Sequence, residues 1–243
     1  MKKTAFVTGA GGDIGGAAAR RLAAEGYSVA LGFCSSKDKA EQLADELCSR
    51  GCDAFAIKCD VSDSKSMSAA AELIKQRFGS LTLLVNNAGI ASFGLFTDSS
   101  YEDISSMIST DLLGAMELSR LFLPGMINNK HGCIINISSV WGEKGASCEV
   151  AYSAAKAGLI GFTKALAREA GPSGVRVNCI SCGFIDTKMN SRLSDEEKQA
   201  VVDEIALDRI GTCDDVAGTV AFLAGEDSGY ISGQVIRVDG CWI

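Results

Sequence analysis

Thr4-Ala5-Phe6-Val7-Thr8-Gly9-Ala10-Gly11-Gly12-Asp13-Ile14-Gly15-Gly16 carries a short apolar run straight into a glycine cluster, and an alanine-rich stretch continues from it to Gly26. The run has the length of a buried strand, and the alanine stretch has the composition of a helix. Strand, glycine loop and helix in that order form the setting in which a glycine cluster marks a dinucleotide site. Without side chains, the loop lets backbone N–H groups approach a pyrophosphate, and the helix N-terminus adds a favourable dipole. An ordinary tight turn between strand and helix is the alternative. Gly9, Gly12, Asp13, Ile14 and Gly15 are the first candidate binding residues.

The same alternation extends outward. Further strands are expected over 28–33, 53–58, 81–85, 133–137, 176–181 and 234–238. Helices are expected over 36–50, 64–78 and 101–126, over the stretch carrying Tyr152, and near 195–206 and 213–224. The long helix should be interrupted only by Gly114 and stop at or just after Pro124-Gly125, and 183–194 reads as irregular. Alternating strands and helices specify an α/β fold, a Rossmann-type doubly wound parallel sheet with helices on both faces. No repeat, linker or low-complexity tract divides the chain, so residues 1–243 are expected to form a single domain.

Composition narrows the function. The chain has 243 residues, 47% of them hydrophobic, and a net charge of −7. No lysine or arginine cluster supplies the field that nucleic acid or an anionic membrane requires, so neither is an expected partner. No apolar run reaches the roughly 18 residues of a membrane span. The N-terminus lacks the apolar core of a secretory signal, which points to the cytoplasm. Ten cysteines are scattered through the chain, mostly in apolar runs, as small core residues of a reduced compartment. Cys179-Ile-Ser-Cys182 has the spacing of a redox or zinc half-site, yet no second half-site accompanies it and the one histidine is His131. No metal is expected.

The chemistry is carried by Tyr152-Ser-Ala-Ala-Lys156, which sets a phenol and an ammonium one helical turn apart on one face. A phenol ionises near about 10, and a neighbouring cation lowers that value, so Lys156 is expected to make Tyr152 an acid-base group. Chance placement on an amphipathic helix is the alternative. In a doubly wound sheet, ligands bind beyond the carboxyl ends of the strands. The first glycine loop, Asp60 after the third strand, Asn86-Asn87-Ala88-Gly89 after the fourth and Ser139 after the fifth all fall there. One loop and the start of a helix suffice to bring the hydroxyls of Ser139 and Tyr152 to one carbonyl oxygen.

Thr8-Gly9 with Ile14-Gly15, Asp60-Val61, Asn86-Asn87-Ala88-Gly89, Ser139, Tyr152-x-x-x-Lys156 and Thr187 together resemble the short-chain dehydrogenase/reductase family over the full chain. The resemblance implies seven parallel strands, a nicotinamide cofactor and a homotetramer or homodimer. It implies Tyr152 as the acid that protonates a substrate oxygen, Ser139 as its hydrogen-bonding partner, and Lys156 as pKa modifier and ribose ligand. It places Asp60 by the adenine, Asn87 near the ribose and Thr187 on the carboxamide, with Val61, Ala88, Gly89, Gly183 and Ile185 as further cofactor-binding residues. Four residues depart from the family pattern: Asp13 and Cys241 for glycine, Asp111 for asparagine, and Cys182 for proline. Asp111 would stand beside Lys156 in the proton relay. Asp13 and Asp111 also motivate an alternative, a cofactor-binding protein without turnover.

After the second strand, NAD-binding folds place an acidic residue on the ribose hydroxyls. Here Cys34-Ser35-Ser36-Lys37 has no carboxylate before Asp38, and the hydroxyls of Ser35 and Ser36 together with Lys37 suit a 2′-phosphate. NADPH/NADP is the expected cofactor, with NAD as the alternative, and Ser36 also suits a helix cap. Within the family, the stretch from Tyr152 to Phe162, Gly183-Phe-Ile-Asp-Thr187 and the ending from Ser232 resemble 3-oxoacyl-acyl-carrier-protein reductases. Trp141-Gly and residues 145–150 resemble reductases of a 5-aminopentanone group on elongation factor P. The expected activity is reduction of a small-molecule or carrier-bound ketone. An acidic carrier requires basic residues at the pocket mouth, where the chain offers only Lys130 and has Ser173-Gly174 in the place where the resemblance implies another basic residue, while Glu149 suits a cationic ketone or a solvated first-turn position.

Overall fold

The computed structural model describes residues 2–190 and 193–243. Thr4–Val7 (β1), Ser28–Phe33 (β2), Ala54–Lys58 (β3), Leu83–Asn86 (β4), Gly132–Ser139 (β5), Val175–Cys182 (β6) and Val235–Val238 (β7) lie side by side in one parallel sheet, ordered β3-β2-β1-β4-β5-β6-β7. The helices are Asp13–Ala24 (α1), Lys37–Ser49 (α2), Ser64–Phe78 (α3), Tyr101–Ile108 (α4), Gly114–Asn128 (α5), Trp141–Lys144 (α6), Val150–Ala170 (α7), Asp195–Val202 (α8) and Cys213–Ala224 (α9). β1 to β3 step outward in one direction. The chain then returns to lay β4 against the other side of β1, pairing Val7 with Val85, and steps outward the opposite way. The strand order reverses between β1 and β4, and a crevice opens there.

Strands buried on both faces read as unbroken apolar runs. Alternate side chains then serve two separate cores. Ala5, Val7, Leu83, Val85, Ile135 and Ile137 pack with Ala18 and Leu22 of α1, Leu43 and Leu47 of α2 and Val216 and Val220 of α9. Phe6, Leu84 and Ile134 face the other way, against Met67, Ile74 and Phe78 of α3, Leu118, Phe122 and Met126 of α5, and Ala167 of α7.

Three local expectations are corrected. The long helix widens into a π-helical turn at Ser109–Leu113 without breaking, and Gly114 is helical and lies so close to Val61 that a Cβ would come 2.5 Å from its carbonyl oxygen. The helix also runs through Pro124 to Asn128. Pro124 is exposed, so water reaches the carbonyl that its missing N–H leaves free, while buried Phe122 and Met126 hold the helix to the sheet on either side of it. Trp141–Lys144 forms a short helix where a loop was expected. Lys188–Asn190 is a 3₁₀ turn within the segment read as irregular, of which residues 191 and 192 lie outside the described residues.

All ten cysteines are free thiols. Burial pushes Cys179 and Cys182 up to about 12, so both are protonated packing residues on β6, and no metal-holding cluster occurs among the described residues.

Candidate active site

At the carboxyl ends of the strands lies a cleft of about 1010 Å³, lined by the catalytic candidates Asp111, Ser139, Tyr152 and Lys156 and by the cofactor-binding candidates of the sequence, from Gly9 to Thr187. Gly9, with φ of +64°, turns the chain out of β1, and a Cβ there would sit 3.1 Å from Asn87 Nδ2. A Cβ on Gly15 would sit 2.5 Å from the Gly9 carbonyl oxygen. Thr8 clamps the two sides of the crevice together. Its Oγ1 accepts from the N–H groups of Asn87 and Ala88, both at 2.9 Å, and its carbonyl accepts from Asn87 Nδ2 at 2.8 Å. Gly12 is the N-cap of α1 and offers no side chain to the first turn, leaving a concave, donor-rich cradle at a helix N-terminus. Its shape and chemistry fit a pyrophosphate.

Asp13 lines the cleft beside this cradle. Its Oδ2 accepts from the Lys188 backbone N–H at 2.8 Å, which ties α1 to the segment after β6 carrying Gly183, Ile185 and Thr187. Ser36 occupies the N-cap position of α2 but makes no side-chain cap bond, and it lines the cleft beside Cys34, Ser35 and Lys39. Lys39 was missed in the sequence. The lysine in view there, Lys37, pairs with Glu41 at 3.6 Å instead. Lys39 stands one turn from Ser36 and close enough to Lys188 for the two ammonium groups to depress the Lys39 pKa, a pairing suited to an anion. Asp60 is held by the Ser62 N–H at 2.9 Å and the Ser62 hydroxyl at 2.6 Å.

On the other side of the crevice, α7 presents Tyr152 and Lys156 one turn apart, with Lys156 Nζ 5.5 Å from the Tyr152 ring centroid. Lys156 Nζ donates to the Ile137 carbonyl at 3.1 Å and lies 3.0 Å from Asp111 Oδ2, a pair buried on both sides. Asp111 Oδ1 accepts from the Ile90 N–H at 2.9 Å. The Ser139 hydroxyl accepts from the Trp141 N–H at 3.2 Å and interacts with the Tyr152 phenol. The expectation for Tyr152 is corrected in sign. Burial raises its pKa, Lys156 lowers it and Asp111 raises it again, with a net upward shift. Burial works to depress the Lys156 ammonium, but the Asp111 and Tyr152 charges outweigh it and the net shift is upward.

Beyond these groups the cleft is walled by aromatic side chains that the motifs did not reveal. Trp242 stands with its ring centroid 5.0 Å from that of Trp141 and 6.3 Å from that of Phe184, and its Nε1 donates to Glu204 at 3.0 Å. Trp141 entered the sequence reading only within a resemblance, two residues after Ser139, and nothing in the sequence marked it or Trp242 as a wall of the cleft. Glu149 lines the cleft near Tyr152. Lys130 and Gly174 meet at the amino ends of β5 and β6, on the opposite edge of the sheet, so they do not rim this opening.

Residues 9–242 match the family model described as enoyl-(acyl carrier protein) reductase. The 3-oxoacyl-[acyl-carrier-protein] reductase FabG of Staphylococcus aureus is 42% identical over 240 residues, 99% of this chain and 98% of that protein. The Escherichia coli protein of the same description is 38% identical, covering 98% and 96%. An uncharacterized oxidoreductase of Bacillus subtilis is 39% identical over 243 residues, 100% and 99%. Among solved structures, a putative gluconate dehydrogenase from Agrobacterium tumefaciens superposes with a TM-score of 0.95 at 30% identity, covering 99% of this chain and 95% of that one. With this sheet order, this crevice and these relatives, the chain belongs to the short-chain dehydrogenase/reductase family of oxidoreductases.

Proposed function

We propose that the chain is an NADPH-dependent reductase of a 3-oxoacyl group carried as a thioester. The observation that carries this reading is the convergence of Ser139, Tyr152 and Lys156 across the crevice from a glycine cradle, in a chain spanning nearly the full length of its 3-oxoacyl-reducing relatives. Gly9, Gly12, Ile14 and Gly15 would hold the cofactor pyrophosphate. Ser35, Ser36 and Lys39 would hold its 2′-phosphate, Asp60 and Val61 its adenine, Asn87 to Gly89 and Lys156 its ribose, and Gly183, Ile185 and Thr187 its carboxamide. The nicotinamide supplies the hydride. The protein supplies position and charge. Ser139 and Tyr152 donate hydrogen bonds to the carbonyl oxygen, where negative charge develops as the hydride arrives. Tyr152 gives that oxygen its proton, and Lys156 stabilises the tyrosinate left behind.

The chain acts as one domain, in the cytoplasm, without nucleic acid or membrane. Its exposed Leu95 and Phe96 just before α4, Tyr101 at the start of α4 and Leu113 at the end of the π turn support assembly into a homodimer or homotetramer. A second reading, a ketone bearing an ammonium group, is favoured by the outer cleft. Trp141, Trp242 and Glu149 line it, whereas the lining lysines other than Lys156 among the described residues, Lys39 and Lys188, stand at the cofactor end.

NADPH oxidation with a 3-oxoacyl thioester and with an amino-ketone, in wild type and Tyr152→Phe, tests both readings. The thioester is expected to be preferred, and Tyr152→Phe to lose about 10²- to 10⁴-fold in turnover with cofactor affinity unchanged. Near wild-type turnover in the variant overturns the role of Tyr152, and preference for the amino-ketone overturns the thioester reading.

A further inference from the structure

Among the described residues, Asp111 is the one buried acid and Lys156 the one buried base. Neither charge is tolerable alone at that depth, so the pair is held as an ion pair. Three features fix it. The π turn Ser109–Leu113 carries Asp111 inward at a widened point of the helix. The Ile90 N–H holds Oδ1, and Oδ2 has the Lys156 ammonium as its neighbour at 3.0 Å. Gly89 covers the pair so closely that a Cβ there would stand 2.7 Å from Oδ2 and 3.3 Å from Nζ.

This arrangement changes what Tyr152 experiences. An ammonium by itself would favour tyrosinate, but one with a carboxylate at 3.0 Å acts on the phenol as a dipole rather than as a full charge. We propose that Asp111 is a positioning residue that neutralises Lys156 and so keeps Tyr152 protonated into alkaline solution. This inference rests on the carbonyl-reductase reading. Its consequence is a displaced pH window: reduction, which needs the phenol, persists to higher pH, and oxidation of the alcohol, which needs the tyrosinate, starts only at higher pH. The equilibrium of the reaction is unchanged.

The other groups packed around the pair do not supply a competing charge. Ser139 on β5 is neutral, and Cys179 and Cys182 on β6 are pushed up to about 12 by burial. Glu143 of α6 is taken by Arg237 at 2.8 Å, and Lys144 is exposed. Asp103 of α4 is engaged with Ser100, Glu102 is exposed, and Glu117 of α5 pairs with Arg120 at 2.6 Å. Glu149, at the head of α7, faces the cleft mouth. Burial is the largest cause of the upward shift of Tyr152, and within it Lys156 lowers and Asp111 raises, the opposition that this arrangement requires.

Two measurements test the inference. The first is the ultraviolet tyrosinate spectrum of wild type against pH, with Tyr152→Phe as the blank, which reads Tyr152 without turnover. Its midpoint is expected above the ordinary phenol value of about 10, and a midpoint at or below it overturns the inference whether or not any variant folds. The second is the pH profile of alcohol oxidation in wild type and Asp111→Asn, which keeps an oxygen for the Ile90 N–H but removes the charge. The profile of Asp111→Asn is expected to move at least about one pH unit lower, as loss of a close charge does, and coincident profiles overturn the inference. If the tyrosinate midpoint of wild type lies above that of Asp111→Asn but neither protein turns over a ketone or alcohol, the reductase reading fails and the electrostatic arrangement stands.

Discussion

Gly89 is a residue whose importance lies in what it lacks. The Asp111–Lys156 pair occupies the space a side chain would need, with Oδ2 2.7 Å from the position of a Cβ. Both charged groups are themselves fixed, Asp111 by the Ile90 N–H and Lys156 by the Ile137 carbonyl. Gly89→Ala should therefore separate a buried ion pair rather than merely crowd it. The expected cost is about 1–3 kcal/mol of stability from overpacking, read from denaturant unfolding, with a fall in turnover as Lys156 is displaced. A Gly89→Ala protein with unaltered stability and turnover would show that the pair is not clamped.

At the scale of elements, the segment from α4 to α5 is one helical rod with a π turn in the middle and a proline near its end. The π turn serves the site by aiming Asp111. Pro124 serves nothing visible in the chain: it is exposed, and its ring leaves the Arg120 carbonyl without a helical donor. Since proline costs about 3 kcal/mol relative to alanine inside a helix, Pro124→Ala should stabilise the fold by about 1–3 kcal/mol and leave turnover unchanged. A shift of the denaturation midpoint upward with an unchanged slope checks it. A downward shift would mean that the proline ring makes a contact worth more than the lost hydrogen bond.

The whole molecule carries a net charge of −7. An acidic carrier would meet a surface of its own sign, and the lysines lining the cleft sit at the cofactor end and beside Tyr152 rather than at the aromatic outer wall. Long-range steering of such a partner is therefore repulsive, and added salt screens repulsion. The kcat/KM for a carrier-bound thioester should hold or rise between low salt and about 0.15 M, where the screening length is about 8 Å. A fall of tenfold over that range would reveal a basic docking surface formed only in the assembled oligomer.

The doubly wound parallel sheet was legible in the chain because strands buried on both faces read as apolar runs, and residues 5–7, 83–85 and 133–135 are such runs within their strands. The candidate site was legible for a related reason. Its residues sit at strand ends or one helical turn apart, as Tyr152 and Lys156 do, and such short-range geometry is set by backbone period alone. What the tertiary structure decided was long-range. That Asp13 reaches Lys188, that Lys39 rather than Lys37 faces the cleft, that Trp242 closes on Trp141, and that burial, with Asp111 offsetting part of the Lys156 charge, reverses the expected shift of Tyr152 all depend on contacts across the fold. Electrostatic energies in a buried site vary with distance and desolvation, and neither quantity exists until the elements have packed.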